Sequence, residues 1–167
     1  VAQCAADLLG WSLDRVAEEA RIPILLEPSV KTALDLEWSA PDAKADAINI
    51  LIKQIDALDA WLRDKLPDAM QEPPLKEHVE TLAQIRDQNL EPDPSGGGRT
   101  RIRQGVAPDR RVSIEDPEMR HGRKSKTKLF HGYKRHIAVD LDTTLVVACA
   151  VTPAKLLEEE AAPELKA

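Results

Sequence analysis

Seven cationic side chains fall within sixteen residues of this chain: Arg120, Arg123, Lys124, Lys126, Lys128, Lys134 and Arg135. No Asp or Glu occurs from Met119 through Val139. Cations at this density can neutralise several phosphates of a nucleic-acid backbone, which releases counterions and gives salt-dependent binding without sequence readout. An ordinary solvated loop is the competing reading. The rest of the chain favours phosphate binding, because it is acidic. Residues 1–98 hold 9 Lys/Arg against 19 Asp/Glu, residues 99–136 hold 12 against 4, and residues 137–167 hold 2 against 6. The net charge of -6 therefore conceals a local block of +8, and phosphate neutralisation depends on local charge.

The other chemistry-bearing residues read mostly as structural. Asp140 and Asp142 are two apart, so both could face one side of a strand as ligands of a hard cation. They also sit at an expected hairpin turn, where Asp commonly bonds local backbone, and solvated turn residues are the favoured reading. Asp116 precedes Pro117, a turn or strand-end signal. Glu158, Glu159 and Glu160 suit the start of a helix, where acids complement the dipole. His121, His131 and His136 lie close in sequence, but no Cys or carboxylate spacing completes a zinc site. His136 is either a phosphate contact or a plain surface residue. Tyr133 reads as a packing anchor. Gly96, Gly97 and Gly98 lack the following Lys-Ser/Thr of a phosphate loop, and no Ser/His/Asp set is apparent. Cys4 and Cys149 lie too far apart in sequence to suggest a metal spacing or a disulfide framework. They read as free thiols of a cytoplasmic protein.

The elements that must position these residues differ between the two halves. In the first half, Ala5, Leu8, Leu9, Leu13 and Val16 recur at helical spacing, predicting a helix over Val1–Ala20. Ser29 can cap a short helix over Lys31–Leu36. The clearest element runs from about Pro41 to Leu66, capped by Ser39 or Asp42. Ile48, Leu51, Ile52, Ile55, Leu58, Leu62 and Leu66 form its apolar stripe. A second amphipathic helix, Leu75 to about Leu90, turns Leu75, Val79, Leu82 and Ile85 to one side, and the pair should pack antiparallel. A Pro/Gly/Ser/Arg linker over 92–109 follows. Beyond it, Tyr133, Arg135, Ile137, Val139 and Leu141 alternate with Lys134, His136, Ala138 and Asp140, a strand with one apolar face. Asp142-Thr143 makes a turn. Leu145–Val151 is a near-continuous β-rich run, as expected of a strand covered on both faces. Arg110–Asp116 suggests a further short strand and Leu156–Lys166 a helix. A hairpin alone is marginal, and Val146, Val147 and Val151 need a cover that the sequence does not obviously supply. No run of eighteen apolar residues suggests a membrane span. The opening on Val1, already in helical periodicity and without a signal-like block, suggests a truncated start.

Four short motifs occur in order: Asp116-Pro117-Glu118-Met119-Arg120, His121-Gly122-Arg123-Lys124, Gly132-Tyr133-Lys134-Arg135-His136, and Val151-Thr152-Pro153-Ala154. Together they resemble the middle of DDE-type transposases of bacterial insertion sequences. The helical half, including Ser29–Ala43, is similar to the helical insertion of one branch of that family. The resemblance implies an α+β chain: a helical insertion (1–91), a flexible linker (92–109), and a segment (110–167) whose β-hairpin belongs to an incomplete RNase H-like sheet. It implies Mg²⁺-dependent cleavage and strand transfer of DNA in the parent enzyme, through two metal ions held by carboxylates. On that scheme the first catalytic Asp lies before Val1, and the second Asp and the Glu lie beyond Ala167. This chain then carries no catalytic residue, no metal ligand and no cofactor. Two positions depart from the family pattern. Lys155 stands where Asn is expected, and Thr144 where Gly would relieve strain at a positive φ.

The expectation is a transposase fragment, inactive alone, that contacts the DNA phosphate backbone through the seven basic residues. It would be cytoplasmic, off the membrane, and in its full-length form capable of homo-oligomerisation. Two alternatives stand beside it. A non-catalytic DNA-binding or regulatory remnant would show binding that responds to charge reversal in the basic stretch. A helical protein-interaction module would show an exposed apolar stripe on the 41–66 and 75–90 helices.

Overall fold

The computed structural model describes residues 1–94, 98–105, 107 and 109–165. The chain is mixed α and β and divides into two compact units, Val1–Gly105 and Val106–Ala167. Gly96, Gly97 and Lys166, which figure in the expected linker and the expected last helix, lie outside the described residues.

The first unit is helical. Its opening segment is two helices, α1 (Ala2–Leu9) and α2 (Leu13–Glu19), rather than the single helix expected. The reason is local. Gly10 adopts a left-handed conformation (φ 64°) that ends α1, and its N–H is bonded to the carbonyls of Ala6 and Asp7. Ser12 then caps α2 by accepting the Arg15 N–H at 3.2 Å. Ser29 likewise accepts the Thr32 N–H to start α3 (Val30–Ala33), shorter than expected. The long helix α4 spans Ala43–Lys65, and α5 spans Leu75–Asn89. Leu75 at the start of α5 shares a buried cluster with Leu58, Trp61 and Leu62 near the end of α4. Arg86 near the end of α5 donates to Asp56 at 2.9 Å. The two helices therefore run antiparallel. Ala2, Ala5 and Ala6 of α1 and Val16 of α2 complete the core, where Trp11 and Trp61 meet with ring centres 6.3 Å apart. The apolar stripe is buried mainly at its C-terminal end. Leu58 and Leu62 are buried, whereas Ile48, Leu51, Ile52 and Ile55 are half-buried.

The expected linker is not structureless. Thr100–Ile102 (β2) pairs antiparallel with Leu90–Pro92 (β1), in the register Leu90↔Ile102. The Thr100 N–H donates to Asn49 Oδ1 of α4 at 3.1 Å, and Arg101 grips Glu91 across the ribbon. Side-chain hydrogen bonds fix this ribbon, and apolar periodicity does not report them.

The second unit is a three-stranded antiparallel sheet in the order β3-β4-β5: Arg120–Arg123, Leu129–Val139 and Val146–Pro153. The third strand is drawn from the basic stretch. Arg110–Asp116, where a short strand was expected, is irregular: Ser113 Oγ accepts the Asp116 N–H, and Asp116 Oδ1 accepts the N–H groups of Glu118 and Met119 just beyond, a local turn in place of a ladder. The β4–β5 turn forms where expected. Asp140 Oδ1 accepts the N–H groups of Asp142 and Thr143 and the Thr143 hydroxyl. Thr144 takes φ 58°, the left-handed conformation for which glycine is suited. After β5, Glu158–Ala161 forms a short helix, α6, continued by a tighter turn over Ala162–Leu165.

The sheet's two faces are inverted relative to the sequence expectation. Lys134, His136 and Ala138 lie on the more buried side, while Tyr133, Arg135, Ile137 and Val139 are exposed. On β5, Val146, Val147 and Val151 are 61%, 65% and 64% exposed, so the strand expected to be covered on both faces is bare on one.

Candidate nucleic-acid interface

The second unit brings all four sequence motifs into contact. The Tyr133 hydroxyl donates to both carboxylate oxygens of Asp116, at 2.7 and 2.6 Å. This joins the Asp116–Arg120 motif to the Gly132–His136 motif. His136 Nε2 meets the hydroxyl of buried Thr152 at 2.9 Å, which joins the latter motif to Val151–Ala154. Gly122 supplies the last join. A Cβ built on it would stand 2.7 Å from both the Cβ and the carbonyl oxygen of Ala154. Only glycine lets β3 approach that close.

These joins use the acidic groups structurally. The Tyr133 hydrogen bond, helped by the Glu118 and Met119 N–H groups, holds the Asp116 carboxyl below the usual carboxylate range. The same bond pushes the Tyr133 phenol up to about 12. Tyr133 is thus an anchor through its hydroxyl more than through its ring. Hydrogen bonds from Lys155 and then Arg120 lower the pKa of Asp109. Lys155, at the position where Asn was expected, has this local partner. The Thr143 hydroxyl, followed by its N–H, lowers Asp140. Among the described residues no three His, Cys, Asp or Glu side chains converge to hold a metal ion. The carboxylates among the described residues do not fit a two-metal site.

The seven basic residues separate into two groups. Arg120 is committed inward: its side chain is 16% exposed, pairs with Asp109 at 2.7 Å, and donates to the carbonyls of Pro117 and Met119. Lys134 donates from Nζ to the Leu156 carbonyl at 2.6 Å. The remaining five, Arg123, Lys124, Lys126, Lys128 and Arg135, are exposed. Among the described residues none of the five is ion-paired with a carboxylate. Four of them lie on the β3–β4 turn and its flanks. There the Lys124 N–H bonds the Lys128 carbonyl at 2.9 Å, the Lys128 N–H bonds Ser125 Oγ at 3.1 Å, and Arg123 donates to the Lys126 carbonyl at 3.3 Å. Density alone groups these seven residues in the sequence. No sequence signal separates Arg120 and Lys134, whose partners Asp109 and Leu156 are 11 and 22 residues away.

The family profile of the transposase DDE domain matches residues 106–167. No curated protein and no solved structure matches the chain. No helix among the described residues is long and apolar enough to cross a membrane. The matched stretch spans the whole second unit and holds all four motifs, so this part of the chain is similar to the transposase DDE domain.

Proposed function

We propose that this chain is a segment of an insertion-sequence transposase that contacts the DNA phosphate backbone through Arg123, Lys124, Lys126, Lys128 and Arg135, and that it does not cut DNA by itself. The observation that carries the reading is the exposure of these five cations without carboxylate partners, four of them on one hairpin turn. Arg120 and Lys134 hold that hairpin in place instead of binding DNA. The reading that the chain does not cut DNA is supported by the structural use of Asp109, Asp116 and Asp140, each of which is engaged by neighbouring donors. The Mg²⁺ of the complete enzyme would be held by acids outside this chain. The bare face of Ile137, Val146, Val147 and Val151 supports an incomplete RNase H-like sheet, since apolar strands of this kind are buried in a finished domain.

The test is fluorescence anisotropy with a labelled DNA duplex at several salt concentrations. Replacing Arg123, Lys124 and Lys126 with Glu should weaken binding. It should also flatten the log–log salt slope by about 0.9 for each phosphate that is no longer neutralised. The same number of charge reversals on α4, at Lys44, Lys53 and Arg63, should leave the slope unchanged. Equal responses of the two triple variants would sink the interface. In parallel, the purified chain with Mg²⁺ should leave supercoiled plasmid carrying transposon ends intact, and nicking by the chain would overturn its inactivity.

A further inference from the structure

The pairing of β3 with β4 sets His121 directly opposite His131. Opposed residues on antiparallel strands place their side chains on one sheet face, a few ångströms apart. Here the two rings meet, with centres 4.9 Å apart and planes tilted by 51°. Their Nδ1 atoms are 3.3 Å apart. A hydrogen bond across that gap requires one nitrogen to be protonated and the other bare. When both rings are neutral and protonated on Nε2, two lone pairs face each other.

That gap has the dimension of a coordination edge. Two nitrogens each about 2.0–2.1 Å from one tetrahedral zinc ion stand about 3.3–3.4 Å apart, with their ring centres about 5 Å apart. Both separations match the pair, on strands whose register already fixes them. Imidazole nitrogen favours zinc, copper and nickel over magnesium, which takes oxygen ligands. We propose that His121 and His131 form a two-imidazole chelate for a late first-row dication, zinc above all, with two coordination positions left to water. This site is separate from any carboxylate-held Mg²⁺ of the transposition reaction. It is a partial site, since no third ligand joins it among the described residues. Arg123 lies on the same face of β3 and repels a dication, which keeps the affinity modest. His136 is engaged by Thr152 and takes no part.

The experiment titrates zinc chloride into the full 167-residue chain at neutral pH, with a chromophoric zinc indicator reporting free metal. The chain should take up one zinc ion. His121→Gln and His131→Gln should each abolish that uptake, and His78→Gln should retain it. Excess Mg²⁺ should not compete, because it takes oxygen ligands in preference to imidazole nitrogen. Should either strand variant misfold, proton NMR of the unaltered chain decides the matter. Zinc should move the ring resonances of two of the four histidines. Uptake that survives both substitutions, no uptake at all, or a spectrum in which none or all of the histidines move would overturn the proposal.

Discussion

The two units handle apolar surface in opposite ways. In the helical unit, Leu62 and Leu75 are 1% and 0% exposed, and small residues of α1 and α2 close over them. In the sheet unit, the longest apolar stretch of the chain, Leu145–Val151, carries valines that are more than half exposed. Both units are built from the same kinds of side chain. What differs is the source of the partner surface. The stripe of α4 meets α1, α2 and α5, all within the first 105 residues. The hairpin's outward face meets nothing among the described residues of its own unit. Within that unit the buried apolar residues in the core are the small Ala154 and Ala161, and hydrogen bonds and the Gly122 contact join its motifs. An element can therefore form and register correctly while its hydrophobic face still awaits a partner.

The sharpest way to break this contrast is to cut the same kind of side chain in each unit. Leu62→Ala should destabilise the helical unit by about 2–5 kcal/mol, the range for a leucine removed from a packed core. Val151→Ala should change the sheet unit by no more than about 0.5 kcal/mol, as at exposed positions. Intrinsic probes separate the two. All three tryptophans, Trp11, Trp38 and Trp61, lie in the first unit, and the single tyrosine, Tyr133, lies in the second. Urea melts followed by tryptophan fluorescence and by tyrosine absorbance would show the difference. A large loss from Val151→Ala would mean that its face is covered after all. Next in size is Gly122→Ala. Its Cβ would meet the Ala154 carbonyl at 2.7 Å, and backbone cannot swing aside as a side chain can. Overpacking of this kind costs about 1–3 kcal/mol, read in the tyrosine-detected melt. Because the contact joins β3 to the end of β5, the variant should also loosen the basic turn.

How much of this was legible in the sequence depended on the range of the force involved. Helical periodicity found α4 and α5 within two residues at each end, because the stripe and its burial are expressed every three or four residues. Strand alternation and turn chemistry placed β4, β5 and the Asp140–Thr144 turn for the same reason. The break at Gly10–Ser12 was also legible: a glycine followed by a capping serine is a local stop-and-start signal, and apolar spacing alone overrode it. Three features were not legible. The β1–β2 ribbon depends on Asn49, 51 residues from Thr100. The third strand of the sheet came from residues whose charge suggested a loop. The exposed orientation of the valines depends on what lies opposite them, which strand periodicity cannot specify. In the candidate interface, density found the basic cluster, but only tertiary contacts separate the five exposed cations from Arg120 and Lys134.

The smallest expected effect concerns the bond that joins two motifs of the sheet unit. Tyr133 and Asp116 hold each other through a hydroxyl–carboxylate hydrogen bond near the surface. Each shifts the other's ionisation away from neutrality: the phenol upward to about 12, the carboxyl downward. For the phenol, the folded value lies above the unfolded one of about 10. Its contribution is therefore complete below about pH 10 and is lost as pH rises through about 12. For the carboxyl, the folded value lies below the unfolded one of about 3.9, so its contribution is complete above that pH and is lost on acidification through the lower folded value. Stability should thus be flat across neutral pH as far as this pair is concerned, and should soften only at the alkaline and acid extremes. Because the chain has one tyrosine, its phenolate absorbance can be titrated without overlap from another. The midpoint should lie near 12 in the unaltered chain and move back toward about 10 in Asp116→Asn, which removes the carboxylate charge. If Asp116→Asn leaves the midpoint in place, the motifs are not joined through this bond. The sheet unit would then need another source of cohesion, and the contrast with the helical core would have to be redrawn.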